Sequence, residues 1–340
     1  MKTFNPFDIL VNPENGKKLQ QTDSYLEESG NKFPVSDRLV NFLSKVSHKN
    51  FETDKAASFR WDNSIRLETD KGFVSHQIDD FLKRYGFKNL DAFKDFLKNK
   101  KKIVEVGAGE GRLVDWYLEY STAIIYALEI SDSVYYLKEK YKDNNRVIVL
   151  KADALYPPFL SESIDLVSAD QCIHHTDYPG EIFNALASKL DKAHGSFLLS
   201  VYAEKSIVRE QLDTIIRDSI SKLPHEKIKE IAGSFTEIGR LLSETKVEVE
   251  VPKEFTMFGA LAGEKMSLQR FVYYALFKCF YNPDFTLEKS QEFSHDWYCY
   301  PICNKVSVEE ATDWFIRNGL SINYIDANMS NVNIRGSYHP

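Results

Sequence analysis

The sequence predicts an α/β fold, a doubly wound and mostly parallel sheet of seven strands, with a mainly helical insertion and a small N-terminal module. Three observations predict it. An apolar run at 103–106 breaks into three alternating glycines, Gly107, Gly109 and Gly111, and a helix pattern follows at once. Short apolar runs then alternate with helix-period segments for about a hundred residues, the pattern of parallel strands with helices on both faces. The 340 residues suffice for one large domain with additions.

The elements follow in order. Residues 103–106 form the first strand, and 113–120 the helix after the glycine turn. Glycine is needed in that turn because the backbone approaches a ligand closely and a Cβ would obstruct it. Residues 122–128 are the second strand, ending at Glu129, and a helix begins near Ser131 and Asp132. The third strand is 146–150, leading into Asp153 and Ala154; the fourth is 164–169, leading into Asp170, Gln171, His174 and His175. A helix at 180–190 and a strand at 195–202 complete the run. After the insertion come a helix at 308–317 and two closing strands, 321–326 and 332–335. In such sheets ligands bind beyond the carboxyl ends of the strands, where all of these polar residues fall.

The glycine spacing narrows the ligand. Dinucleotide folds use G-x-G-x-x-G to aim helix N–H groups at a pyrophosphate. Here the register is Gly107-Ala108-Gly109-Glu110-Gly111, with Glu105 two residues before it. An acid at that place repels a pyrophosphate and suits a cationic cofactor. The motif resembles the first motif of the class I methyltransferases that use S-adenosylmethionine (SAM) and release S-adenosylhomocysteine. The resemblance implies that Glu105, Gly107, Ala108, Gly109 and Gly111 cradle the cofactor. It further implies that Glu129 accepts the ribose hydroxyls, where the alternative is a cap of the following helix, and that Asp153 meets the adenine amino group. By the same resemblance Asp170 orients the amino end or the base, and Ile130, Ala154 and Gln171 beside them also touch the cofactor. His174 and His175, just past the fourth strand, are the candidate bases, with Asp170 to orient them.

Composition removes several function classes. Apolar residues at 43% and charged ones at 27% describe an ordinary globular chain, and no run approaches the roughly 18 uncharged apolar residues of a membrane span. The start, MKTFNPFDIL, has no signal-peptide pattern. Four cysteines make no disulfide framework, so the expected place is the cytoplasm, with no membrane partner. A net charge of −7 without a basic stripe argues against a nucleic-acid partner and for a small-molecule acceptor. Self-association into a homo-oligomer is left open. His295, Cys299 and Cys303 are four apart, but Pro301 argues against a helix there, and no metal is expected.

Organisation is read as five segments: 1–50, a module; 51–75, a linker over the cofactor site; 76–204, the core; 205–305, a helical cap; and 306–340, the closing helix and strands. The module, DILVNPENGKKL followed by YLEESGNKFPVSDRLVNFL, resembles the zinc ribbon of the tRNA-methyltransferase activators. Aligned on Phe33-Pro34-Val35, its four ligand positions hold Asn12, Asn15, Leu26 and Ser29, so the thiolate site of such ribbons cannot form. Without a metal the module has to lean on the main domain. In the linker, Phe59 and Trp61 either stack on the cofactor or anchor the linker to the core. In the cap, isoleucines and leucines recur at helix spacing from 208 to 242, and 246–251 alternates as a strand. The cap lies after the fifth strand and would roof the site. Tyr202, Tyr273, Tyr274, Trp297 and Tyr298 are its candidate substrate walls. The segment from 206 to 297, with Asp296-Trp297-Tyr298 and a closing Arg335-Gly336, resembles a group of bacterial methyltransferases.

Three functions are weighed: methyl transfer to an O or N atom of a small molecule or sugar, methyl transfer to RNA or protein, and a non-catalytic partner subunit. Intact Glu105, Glu129, Asp153 and glycines argue against the last. The missing G-x-G-x-x-G argues against an NAD-linked oxidoreductase.

Overall fold

A computed structural model describes residues 5–43, 51–62, 71–220, 222–259 and 262–338. Four short strands come first: β1 (Gln20–Gln21), β2 (Tyr25–Glu28), β3 (Asn31–Ser36) and β4 (Leu39–Asn41). Helices α1 (Phe51–Asp62), α2 (Lys71–Arg84) and α3 (Leu90–Leu97) lead to the alternating core. That core runs β5 (Lys102–Val106), α4 (Arg112–Tyr120), β6 (Ile124–Glu129), α5 (Ser133–Lys140), β7 (Val147–Lys151), β8 (Leu166–Asp170), α6 (Pro179–Ala187) and β9 (Ser196–Tyr202). The cap holds α7 (Ile207–Ile220), α8 (His225–Glu244), β10 (Glu248–Glu250), β11 (Lys265–Ser267), α9 (Leu268–Ala275) and α10 (Leu287–Cys299). The chain closes with α11 (Val308–Arg317), β12 (Ser321–Ala327) and β13 (Asn331–Ser337).

Seven strands stand in the order β7-β6-β5-β8-β9-β13-β12, parallel from β7 to β9, with β13 inserted antiparallel between β9 and β12. Strands β5 to β8 are almost wholly buried, as expected where helices cover both faces. The order reverses between β5 and β8. A cleft opens there beyond the strand ends.

The sheet is larger than the expected seven strands. Residues 39–41 pair parallel with β7, Leu39 against Val149 and Val40 against Leu150, and β1–β3 continue outward to give eleven strands. Otherwise the edge of β7 would present unpaired N–H and C=O groups. Val40, Phe33, Phe42, Ile9 and Leu10 join the core on one face and Leu39 the core on the other. The N-terminal segment thus shares the main core. Of the four positions aligned with metal ligands, Leu26 is buried, while Asn12, Asn15 and Ser29 all donate to the Glu28 carboxylate, at 3.3, 3.0 and 2.5 Å. The Ser29 hydroxyl and the Asn15 amide hold that carboxyl down to about 2.

Two local expectations change. His295 and Cys299 do lie on a helix, because α10 runs to Cys299 and Pro301 falls beyond its end, where proline is tolerated. Cys303 lies outside that helix, and no group of side chains among the described residues has the make-up of a metal site. The cap strand shortens to Glu248–Glu250 and finds a partner, β11, that the sequence pattern did not indicate. No helix among the described residues is long and apolar enough to cross a membrane.

Candidate active site

The glycine turn joins β5 to α4. Gly107, Gly109 and Gly111 adopt φ of 70°, 53° and 84°, which a side chain disfavours. A Cβ at Gly107 would stand 2.6 Å from the Cβ of Cys172, in the loop after β8. Glu129 closes the turn from the end of β6. Its Oε2 accepts the Gly109 N–H at 2.9 Å and its Oε1 the Ser131 N–H at 2.8 Å. Each oxygen keeps capacity for a further donor. Asp153 is held similarly, accepting the Leu155 N–H at 2.9 Å.

Glu105 differs. It is buried, and its Oε2 has no hydrogen-bond partner. Burial pushes its carboxyl well above the ordinary carboxylate range. An acid so placed gains most from a cation brought beside it.

Asp170, at the end of β8, is consumed by a clamp. Its side chain accepts Arg84 Nη1 at 2.7 Å, Arg84 Nη2 at 3.3 Å and the Tyr85 hydroxyl at 2.9 Å, with Arg112 at 3.6 Å. The pair ties the end of α2 to the switch point across 86 residues of sequence. Burial alone would lower the Arg84 pKa, and the Asp170 charge reverses that. Gln171 follows at φ 57°, a strained conformation for a residue with a side chain.

These residues face a cavity of about 690 Å³. Glu105, Gly107, Ala108, Glu129, Ile130, Asp153, Ala154, Asp170 and Gln171 line one side; Tyr202, Phe293, Asp296 and Tyr300 contribute from the cap side. Gly109 and Gly111 shape the turn without lining the cavity. The two histidines separate. His175 lines the cavity, its ring stacked on Tyr300 with centroids 3.9 Å apart and its Nδ1 3.1 Å from the Ile302 carbonyl. His174 is fully buried behind it against Tyr202, neither ring nitrogen has a partner, and burial holds its pKa well below the usual value. Tyr273, Tyr274, Trp297 and Tyr298 do not line this cavity. The side chains of Phe59 and Trp61 lie outside the described residues.

Sequence reading missed Thr53 and Ala57 of α1, Gln77 of α2 and the Arg84–Tyr85 clamp. Thr53 donates its hydroxyl to the His175 carbonyl and so fixes the loop carrying that ring. None of these sits in a local motif. An Arg-Tyr pair ending an amphipathic helix was the one available signal.

Residues 104–199 match the family described as a methyltransferase domain. That segment is the alternating core from β5 into β9, and the cofactor to test against it is the SAM expected from the sequence. The donor set fits that cofactor, since a buried acid with an unpartnered oxygen and a cradle that a Cβ would fill stand together at the switch point. Among solved structures the chain is similar to a SAM-dependent methyltransferase of Listeria monocytogenes described as putative (13% identity, 71% of this chain and 92% of that one, TM-score 0.40). It is also similar to the Burkholderia thailandensis 1,6-didemethyltoxoflavin-N1-methyltransferase (10%, 93% and 98%, 0.39). A third is a complex of the Haloferax volcanii Trm112 methyltransferase activator with a protein described as a putative methyltransferase (13%, 81% and 99%, 0.41). Among curated proteins none matches the chain in sequence.

Proposed function

We propose that this methyltransferase acts on an O or N atom of a small molecule, with His175 as the base. The observation that carries the reading is the cavity itself, which one wall of strand ends and one wall of cap aromatics enclose. A volume of about 690 Å³ is of the size of small-molecule sites. Glu129 would accept the ribose hydroxyls, Asp153 the adenine amino group, and Glu105 would face the cationic end of SAM. When bound, the cofactor supplies an electrophilic methyl carbon.

The protein's own residues then orient and deprotonate. Tyr202, Phe293 and Tyr300 present apolar rings that exclude water and hold the acceptor in line. The Ile302 carbonyl can only accept, so it keeps the proton of neutral His175 on Nδ1 and leaves the Nε2 lone pair to take one from the acceptor. Tyr300 and the Thr53 hydroxyl fix ring and loop. We read the N-terminal segment as a ribbon in which the Glu28 network occupies the place of the metal.

The test is calorimetric titration with S-adenosylhomocysteine, followed by transfer of labelled methyl from SAM to a panel of small hydroxyl and amine acceptors. His175→Asn should keep the contact to Ile302 and the cofactor affinity, and should lower turnover about 10²–10⁴-fold. Full turnover in that variant would remove His175 from the chemistry. Transfer to RNA or protein alone would overturn the small-acceptor reading.

A further inference from the structure

Behind Tyr202 the cap gathers positive charge around one indole. The cationic groups of Lys205, Arg209, Lys278 and Lys305 lie 5.6, 5.5, 4.6 and 4.9 Å from the ring centroid of Trp297. They come from four separate places: the segment after β9, helix α7, the segment after α9 and the segment before α11. In a chain of net charge −7 this convergence stands out. An indole has two faces, and cation–π attraction of roughly 0.5–2 kcal/mol per contact does not by itself gather four like charges.

The anionic groups nearby balance only part of them. Asp213 pairs with Arg209 at 3.0 Å, while Lys305 donates to the Cys303 carbonyl at 3.0 Å and the Cys303 sulfur at 3.4 Å, with Glu210 at 4.0 Å. Lys205 bonds to carbonyl oxygens alone, those of Ala203, Met329 and Ser330. Lys278 makes no ion pair among the described residues and lies over the rings of Tyr273, Phe280 and Trp297. A second, independent feature points the same way. Trp297 is 3% exposed, and its indole N–H has no acceptor. A buried donor left unpaired among cations lacks an anionic acceptor. The Tyr202 ring, 4.7 Å from Trp297, also lines the main cavity and so connects the two places.

We propose that Lys205, Lys278, Lys305 and the Trp297 N–H form an oxyanion site that holds a carboxylate or phosphate group of the methyl acceptor, with the rest of the acceptor passing Tyr202 into the cavity. Only the word acceptor rests on the methyltransferase function proposed above; the anion site stands on its own geometry. Charge-assisted bonds to such a group are the strong class of hydrogen bond, and four converging donors orient as well as bind.

Calorimetric titration of the full chain with sodium sulfate and with sodium acetate, at constant ionic strength, decides it. The expected result is saturable one-site binding of at least one anion, weakened about tenfold or more in Lys278→Gln and retained in Lys278→Arg. Tighter sulfate points to a phosphate-bearing acceptor, and tighter acetate to a carboxylate. S-adenosylhomocysteine titration of the same variants reports that they are folded. No saturable binding of either anion, or equal affinity in Lys278→Gln and wild type, overturns the site. Failure of S-adenosylhomocysteine to bind wild type would instead strike the methyltransferase reading and leave the anion result to stand.

Discussion

The two walls of the cavity are built in opposite ways. On the sheet wall, backbone N–H groups hold the carboxylates: Gly109 and Ser131 hold Glu129, and Leu155 holds Asp153. Strand ends and a glycine turn fix these donors, so the acids are in place before any ligand arrives. On the cap side the functional groups rest on distant segments, Lys205 on the Met329 and Ser330 carbonyls and His175 on the Ile302 carbonyl and the Tyr300 ring. Behind that wall the Trp297 N–H has no acceptor, as Glu105 Oε2 has no donor on the sheet side. The sheet wall is a frame set by the fold. The cap wall is an assembly completed by what it binds. A frame of the first kind tolerates many acceptors, and the second kind chooses among them.

Breaking the joint between the walls has the largest expected effect. Asp170 links strand end to helix through a buried ion pair, and Asp170→Asn leaves the buried Arg84 guanidinium with only the exposed Asp80, 2.9 Å from its Nε, as counter-charge. A stability loss of about 3–5 kcal/mol follows, measured by urea denaturation. A loss under about 1 kcal/mol would show that water or Asp80 substitutes for the partner. On the sheet wall alone, Glu129→Ala should weaken S-adenosylhomocysteine binding by about 1–3 kcal/mol and leave sulfate affinity unaltered. If both affinities fall together, the walls are not independent and the comparison above fails.

The same contrast explains what was legible in the sequence. Gly107, Gly109 and Gly111 stand in one strand–turn–helix signal, and Glu129 and Asp153 stand at the ends of the next two strand patterns. The pairing of β4 with β7 was not legible, because a strand of three residues, with Leu39 and Val40 buried in the cores of opposite faces, carries no mark of which edge it covers. Arg84 and Tyr85 reach Asp170 from about a quarter of the chain away, and nothing local marks them. The cation cluster is harder still, since four separated lysines and arginines each look like ordinary surface charge until the cap folds. Even the adjacent histidines divide only in three dimensions, His175 toward the cavity and His174 behind it.

The smallest effect is the most diagnostic for the cap wall. Burial, then the charges of Arg209, Lys305 and Lys278, push Lys205 down to about 7, and Glu210 opposes them only in part. The unfolded chain keeps this lysine protonated to about 10. Between those limits the folded side chain is neutral, so unfolding takes up a proton and this group's contribution to stability rises with pH; it is lost as pH falls through about 7. A bound oxyanion reverses the preference and draws the proton back onto Lys205. Anion binding at about pH 8 should therefore take up close to one proton, and affinity should fall by up to about tenfold per pH unit above 7. Cys303 does not confuse the window. Burial would raise its thiol, but chiefly the charges of Arg217 and Lys305 bring it to about 6, so it is already ionised there. Sulfate calorimetry at about pH 8, in two buffers of different ionisation enthalpy, measures the uptake directly. Uptake in the wild type and none in Lys205→Met places the proton on that side chain. Equal uptake in both would move it elsewhere and leave the cap wall without its titrating cation.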